Sequence, residues 1–176
     1  LEPEFFDRSA LKVGRELIGK FLVRNLGRRE IAAPINEVEI YAGFQDRASH
    51  AFRGKTWRNE VMWGDAGYFY VYFVYGMHWM LNVVVGRKNY PAAILIRGAG
   101  DWVGPAKITK ALEIDKRFNG KIALPGSGLW FEDRGIRPAR GEVKRLARVG
   151  VDYAKEWAEK PLRFLWLREI KKAKKD

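Results

Sequence analysis

The chain has 176 residues, 47% of them apolar, which suits one ordinary domain with its own core and is too short for two generous ones. Its 33 lysines and arginines against 21 aspartates and glutamates leave a net charge of +12, and so cationic a surface calls for an anionic partner, nucleic acid ahead of a membrane or an acidic protein. The absence of cysteine excludes disulfides, thiolate metal sites and cysteine nucleophiles, and with His50 and His78 as the two histidines a histidine metal cluster is not expected.

The opening LEPEFFDRSA is acidic and polar where a secretory leader would be basic and then apolar, so a cytoplasmic or nucleoid location is expected (nuclear in a eukaryote). Leu11, Leu17 and Ile18 recur at helical spacing between Ser9 and Ile18 and predict a helix. Lys20 to Leu26 reads as a strand, 27–29 as a turn, and Ile31 to Tyr41 as a second strand in which Pro34 suggests an edge or a bend. Gly43 to Gly67 reads as loops carrying Arg47, Arg53, Lys55 and Arg58. After an aromatic block, Ala92 to Arg97 predicts a strand, and Gly104-Pro105 opens a helix with an Ile108, Ala111, Leu112 stripe. Farther on, Leu129 to Glu132 reads as a short strand and Leu162 to Leu167 as a late one, with a short helix over Val143 to Arg148 or Tyr153 to Glu159 and a charged tail from Arg168. Hairpins and few helices, without regular strand–helix alternation, predict an α+β fold in one domain over 1–176.

The aromatic block is the densest signal. Six of the eight residues from Tyr68 to Tyr75 are aromatic, and no Asp, Glu, Lys or Arg occurs from Ala66 through Gly86. Twenty-one such residues would reach across a bilayer as a helix, but tyrosines, His78 and Asn82 in their midst, with β-branched and aromatic enrichment, favour strands. Gly76 supplies the positive φ of a turn, so a hairpin is expected. Alternation puts Tyr70 and Tyr72 on one face and Phe69, Val71 and Phe73 on the other, with Tyr75 at the tip. Core packing is the reading for Tyr68 and Tyr70, whereas Tyr75 suits a wedge between stacked bases.

In Ile35-Asn36-Glu37-Val38-Glu39-Ile40-Tyr41, alternation puts Glu37, Glu39 and Tyr41 on one face and Val38 and Ile40 on the other. A carboxylate among apolar neighbours can serve as a general base. Spacing alone nevertheless favours a solvated face for both glutamates. His50 can converge on the same pocket, or serve as a structural hydrogen-bonding residue.

These segments together resemble a known family. Glu37-Val38-Glu39-Ile40-Tyr41-Ala42-Gly43, Asp46, Ala48-Ser49-His50, Thr56-Trp57-Arg58-Asn59, Tyr70 to Met77, Asn82, Leu95-Ile96-Arg97, Gly104-Pro105-Ala106-Lys107, Arg148-Val149-Gly150 and Lys160 to Phe164 are similar, in order and spacing, to the alkyladenine (3-methyladenine) DNA glycosylases of the mammalian type. The resemblance implies a compact domain with a mixed, mainly antiparallel curved sheet, a few surrounding helices and a protruding hairpin. It implies a monofunctional enzyme that flips a damaged purine out of duplex DNA and hydrolyses its N-glycosidic bond, as a monomer, without cofactor or metal and away from membranes. By that resemblance Glu39 activates the attacking water and Arg97, near that water, helps position it or the DNA backbone. Tyr41, His50, Tyr72 and Asn82 line the base pocket, and Tyr75 fills the gap left in the duplex. Apart from the resemblance, Met77, Arg58 and Lys107 are expected to contact DNA, the two cations through its phosphates.

Two departures stand out: His78 replaces an aromatic phenol near the hairpin tip, and the connection from Arg97 to Gly104 is short. A non-catalytic nucleic-acid-binding module, or a hydrolase of RNA or nucleosides, are the competing expectations.

Overall fold

The computed structural model describes residues 1–167; the predicted charged tail lies outside them. Helices α1 (Pro3–Phe6) and α2 (Ala10–Leu17) precede strands β1 (Phe21–Asn25) and β2 (Glu30–Ala42). The hairpin β3 (Phe69–Val74) and β4 (His78–Val85) leads into β5 (Ala92–Ala99), β6 (Trp102–Val103) and helix α3 (Pro105–Ala111), then β7 (Leu129–Glu132), β8 (Val143–Leu146) and β9 (Arg163–Trp166). The nine strands form one open sheet, ordered β3-β4-β5-β2-β1-β7, with β6 on β5, β9 on β2 and β8 on β9, and its ladders are antiparallel. The architecture is α+β, as the mixture of hairpins and few helices predicts. No described helix is long and apolar enough to cross a membrane, and the uncharged block is a hairpin.

The main core lies on one face of the sheet. Val13 and Leu17 of α2 and Ile108 of α3 are buried there with Val38, Ile40, Phe69, Val71, Leu81, Val83, Ile94 and Ile96. Gly14 lets α2 sit close on β2, since a Cβ there would fall 2.8 Å from Ile40 Cδ1. The opposite face buries a smaller group, Ala51, Met62, Tyr70, Val84 and Ala93.

One irregularity decides which face receives the glutamates. Ala33 and Ile35 point into the main core, and so do Val38 and Ile40. That interval of three is incompatible with plain alternation, which would send Glu37 and Glu39 into the core after Ile35. The β2–β5 register shifts between Ile35 and Val38, marking a bulge around Asn36 that resets the parity. Gly98 faces the bulge, where any Cβ would meet the Asn36 side chain.

Pro34 does not mark an edge, because β2 lies inside the sheet. It sits where β2 passes from β1 to β5, opposite Phe21, and its carbonyl accepts from Gly100 N in the turn that ends β5. Its missing donor therefore faces a turn rather than a ladder. The helix considered over Val143 to Arg148 is instead β8, since Val143 and Leu146 pair with Trp166 and Arg163 of β9 and the ladder outweighs a short helix without a stripe. Around Tyr153 the backbone is a 3₁₀ segment (Asp152–Trp157) broken at Lys155, whose φ is 52°.

Candidate active site

Past the bulge, Glu39 lies between β5 and β9, opposite Leu95 on one side and Arg163 on the other. Neighbouring strands on both flanks leave its side chain fully buried, so the solvated-face expectation fails for Glu39 and equally for Glu37. The carboxylate is not abandoned in apolar surroundings. Oε1 accepts from the backbone N–H of Val149 at 2.7 Å, and Oε2 accepts from the Tyr41 hydroxyl at 3.1 Å. Arg97 Nε stands 3.4 Å from Glu39 and donates to Glu37 Oε1 at 3.1 Å, and Arg163 Nη1 donates to that same Glu37 oxygen at 3.0 Å. Burial raises the Glu39 pKa, with Glu37 adding to the rise, against the opposing pull of Arg97 and the bonds from Val149 and Tyr41.

A cavity of about 310 Å³ opens above this carboxylate, lined among others by Tyr41, His50, Tyr70, Tyr72, Asn82 and Arg97. That volume is in the range of small-molecule pockets. The rings come from different elements: Tyr41 from the end of β2, Tyr70 and Tyr72 from β3, His50 from the start of a 3₁₀ turn (His50–Arg53) that follows β2. The His50 ring lies 4.5 Å from that of Tyr72, edge-to-face at 67°. His50 Nδ1 is 2.8 Å from the Tyr70 hydroxyl. Desolvation, aided by the Arg58 charge, lowers the His50 pKa and so keeps the imidazole neutral at pH 7. Asn82, which lines the cavity, donates through Nδ2 to the Tyr70 carbonyl at 3.0 Å.

The structure thus brings Glu39, Arg97, Tyr41, His50, Tyr72 and Asn82 to one cavity. Tyr75 lines its mouth from the hairpin tip, 84% exposed, and both Tyr75 and Gly76 have positive φ, 52° and 66°. Met77, exposed on the same turn, and Lys107 at the start of α3 line a separate groove beside His78 and Trp79. Arg58 is outside the cavity, bonded through Nη2 to the Phe73 carbonyl at 2.7 Å, with its guanidinium 5.9 Å from the Tyr72 ring.

Several participants were not legible as such. Tyr70 is buried as expected, yet it also lines the cavity and bonds His50. Phe73, on the same face as the buried Phe69 and Val71, is 40% exposed against Trp79, because β3 outruns the core toward its tip. Tyr153 stands largely exposed at the cavity mouth. A buried ion pair sets the far wall. Arg148 engages both oxygens of Asp46, Nη2–Oδ1 at 2.9 Å, and also donates to the carbonyls of Ile40 and Trp157. Asp46 in turn accepts from the N–H groups of Ala42 and Ala48. The pair therefore fixes both the loop that carries His50 and the segment whose next residue, Val149, donates to Glu39. Its only trace in the sequence is the appearance of Asp46 and Arg148 among the family-like segments.

A cationic domain with an aromatic cleft, a buried carboxylate at its base and an exposed ring at a hairpin tip has the parts of a base-handling nucleic-acid enzyme. The family model for methylpurine-DNA glycosylases matches residues 4–101 and 102–169. Relatives bearing the name "Putative 3-methyladenine DNA glycosylase" are similar along almost their whole length. That of Methanocella arvoryzae is 40% identical, covering 93% of this chain and 90% of its own. That of Legionella pneumophila (strain Lens) is 39% identical, covering 93% and 92%, and that of an Anaeromyxobacter species 41%, covering 93% and 87%. The chain belongs to the methylpurine-DNA glycosylase family. It is a monofunctional DNA glycosylase, a hydrolase of N-glycosyl bonds that serves DNA repair.

Proposed function

We propose that the cavity receives a damaged purine flipped from duplex DNA and that Glu39, as general base, activates the water that attacks C1′. The substrate class comprises 3-methyladenine, 7-methylguanine, hypoxanthine and ethenoadenine, and the product is an abasic site. The observation that carries this reading is the fully buried Glu39 carboxylate beneath an aromatic cavity, its pKa raised while two hydrogen bonds orient it and Arg97 stands at ion-pair distance. A carboxylate whose pKa is raised by burial is a stronger base and takes the water proton more readily.

Tyr41, His50 and Tyr72 hold the base between their rings. An alkylated purine carries positive charge in its ring, so electron-rich faces and a neutral imidazole receive it without repulsion. As the glycosidic bond breaks, the electron pair departs with the base and positive charge grows on the sugar, where the Glu39 carboxylate and the DNA phosphates stabilise it. Arg97, anchored by Glu37, positions the water beside Glu39. Asn82 opposes the exocyclic amino group of guanine, Tyr75 occupies the space vacated in the duplex, and Met77, Arg58 and Lys107 meet the flanking DNA. The protein acts as a monomer.

Glu39→Gln tests the reading in single-turnover excision of hypoxanthine and 3-methyladenine from duplex DNA. Lesion binding survives and base release is abolished. Excision at the wild-type rate would refute the assignment, and a preference of the wild-type enzyme for free nucleosides would refute flipping.

A further inference from the structure

Among the described residues Trp57 is the most exposed large apolar side chain, at 87%, and no ring or cation contact among them engages it. It does not hang on a slack loop. Trp57 and Arg58 are the central residues of a turn closed by the bond from Asn59 N to the Thr56 carbonyl at 3.2 Å. Asn59, itself buried, clasps that turn: Oδ1 accepts from Thr56 N at 2.7 Å, and Nδ2 donates to the carbonyls of Gly54 and His50, each at 3.0 Å. The turn is thereby tied to the pocket wall through His50. Through the Arg58 bond to the Phe73 carbonyl, two residues before Tyr75, it is tied to the hairpin as well.

A tryptophan held open on a pinned turn presents its ring to a partner with little ordering cost left to meet. The charge around it selects the partner. Between residues 50 and 64 the cations Arg53, Lys55 and Arg58 face one acid, Glu60, and all three cations are exposed. Aromatic side chains interleaved with cations are the composition that stacks on bases while neutralising phosphates.

We propose that Trp57 is a second aromatic contact with DNA, stacking on a nucleotide that flanks the flipped one while Tyr75 occupies the gap. The turn and the hairpin then form one rigid two-pronged reader, joined by Arg58. Tyr75 holds the extruded state, and Trp57 fixes where along the strand the protein halts. The inference rests on the placement of the Tyr75 hairpin on the DNA side.

Trp57→Ala and Trp57→Phe test it, with Tyr75→Ala beside them, in titrations of lesion duplex and in single-turnover excision. Trp57→Ala raises the half-saturating protein concentration about tenfold, the magnitude of one lost stacking contact, with little change in the maximal rate. Trp57→Phe recovers most of that loss. The salt dependence of binding keeps its slope in Trp57→Ala, whereas Arg58→Ala lowers it by about one. Emission compared between wild type and Trp57→Phe reports Trp57 in the intact protein, and lesion duplex shields it from acrylamide. Unchanged affinity in Trp57→Ala, or a Trp57 still open to quencher in the complex, overturns the proposal and leaves this surface to a protein partner. If Tyr75→Ala is neutral too, the placement of the DNA face falls; if it alone weakens binding, only the role of Trp57 does.

Discussion

Replacing Asp46 with alanine removes one half of an ion pair whose side chains are both wholly sequestered from solvent. Among the described residues the Arg148 guanidinium then keeps only the carbonyls of Ile40 and Trp157 as acceptors in the interior, and the N–H groups of Ala42 and Ala48 lose theirs. Breaking a buried pair from one side costs about 3–5 kcal/mol, mostly for the stranded charge. At about 2–4 °C per kcal/mol for a protein of this size, the melting temperature falls by roughly 6–20 °C. Urea unfolding followed by tryptophan emission at pH 7 measures the difference directly. Asp46→Leu combined with Arg148→Met removes both charges and recovers a large part of the stability lost in Asp46→Ala. Excision does not recover with it, because Val149 is no longer held where it donates to Glu39. A loss below about 1 kcal/mol in Asp46→Ala would refute the view that this pair organises the far wall.

Glu39 has a folded-state pKa above its unfolded one, so the excision rate falls as pH drops through that raised value. The linkage has the opposite sense for stability: the native state binds the extra proton, so stability is fully present below the unfolded pKa and declines as pH rises through the folded one. Glu39→Gln is therefore more stable than wild type at pH 7, and denaturant titrations at descending pH should show that advantage vanish below the ordinary carboxylate pKa. Glu37→Gln removes a like charge that raises the Glu39 pKa and leaves Arg97 to Glu39 alone. Both effects shift the acid limb of the excision profile to lower pH and slow the maximal rate, and an unmoved acid limb would show that Glu37 does not tune the base. Gly98→Ala thrusts a methyl onto Asn36 and to 2.9 Å from Glu37 Cβ, costing about 1–3 kcal/mol by urea unfolding. Its excision falls by more than its stability predicts, because the same displacement moves the strand that carries Glu39.

The elements were legible wherever a local pattern decides them. Gly76 within a β-branched and aromatic run specifies the hairpin, and Pro105 after Gly104 specifies where α3 starts. The short segment 143–148 was not legible, because Val143 and Leu146 fit a strand or a helix equally until β9 arrives as partner. The same limit applies to the donors of Glu39. Val149 lies 110 residues along the chain from the carboxylate it bonds, and Arg148 lies 102 from Asp46. No periodicity connects such pairs, so only the family-like segments pointed to them.

The burial of Glu37 and Glu39 shows why alternation alone misjudged their surroundings while assigning their shared face correctly. Alternation counts from a residue, and the answer depends on which one. Counting back from Val38 and Ile40 puts the glutamates on the pocket face, but counting forward from Ile35 puts them in the apolar core. The bulge at Asn36 reconciles the two, and its signature lies on the neighbouring strand, where Gly98 leaves room for the Asn36 side chain. Alternation is also blind to what flanks a strand. Pairing of β2 with β5 on one side and β9 on the other makes the pocket face an interior one, with Arg97 and Arg163 supplied by those same two strands. Charge compensation and burial therefore arrive together, from the strands that enclose the carboxylates. A glutamate in this register on an unflanked strand would be solvated, with an ordinary carboxylate pKa and no more than a weak base's reach.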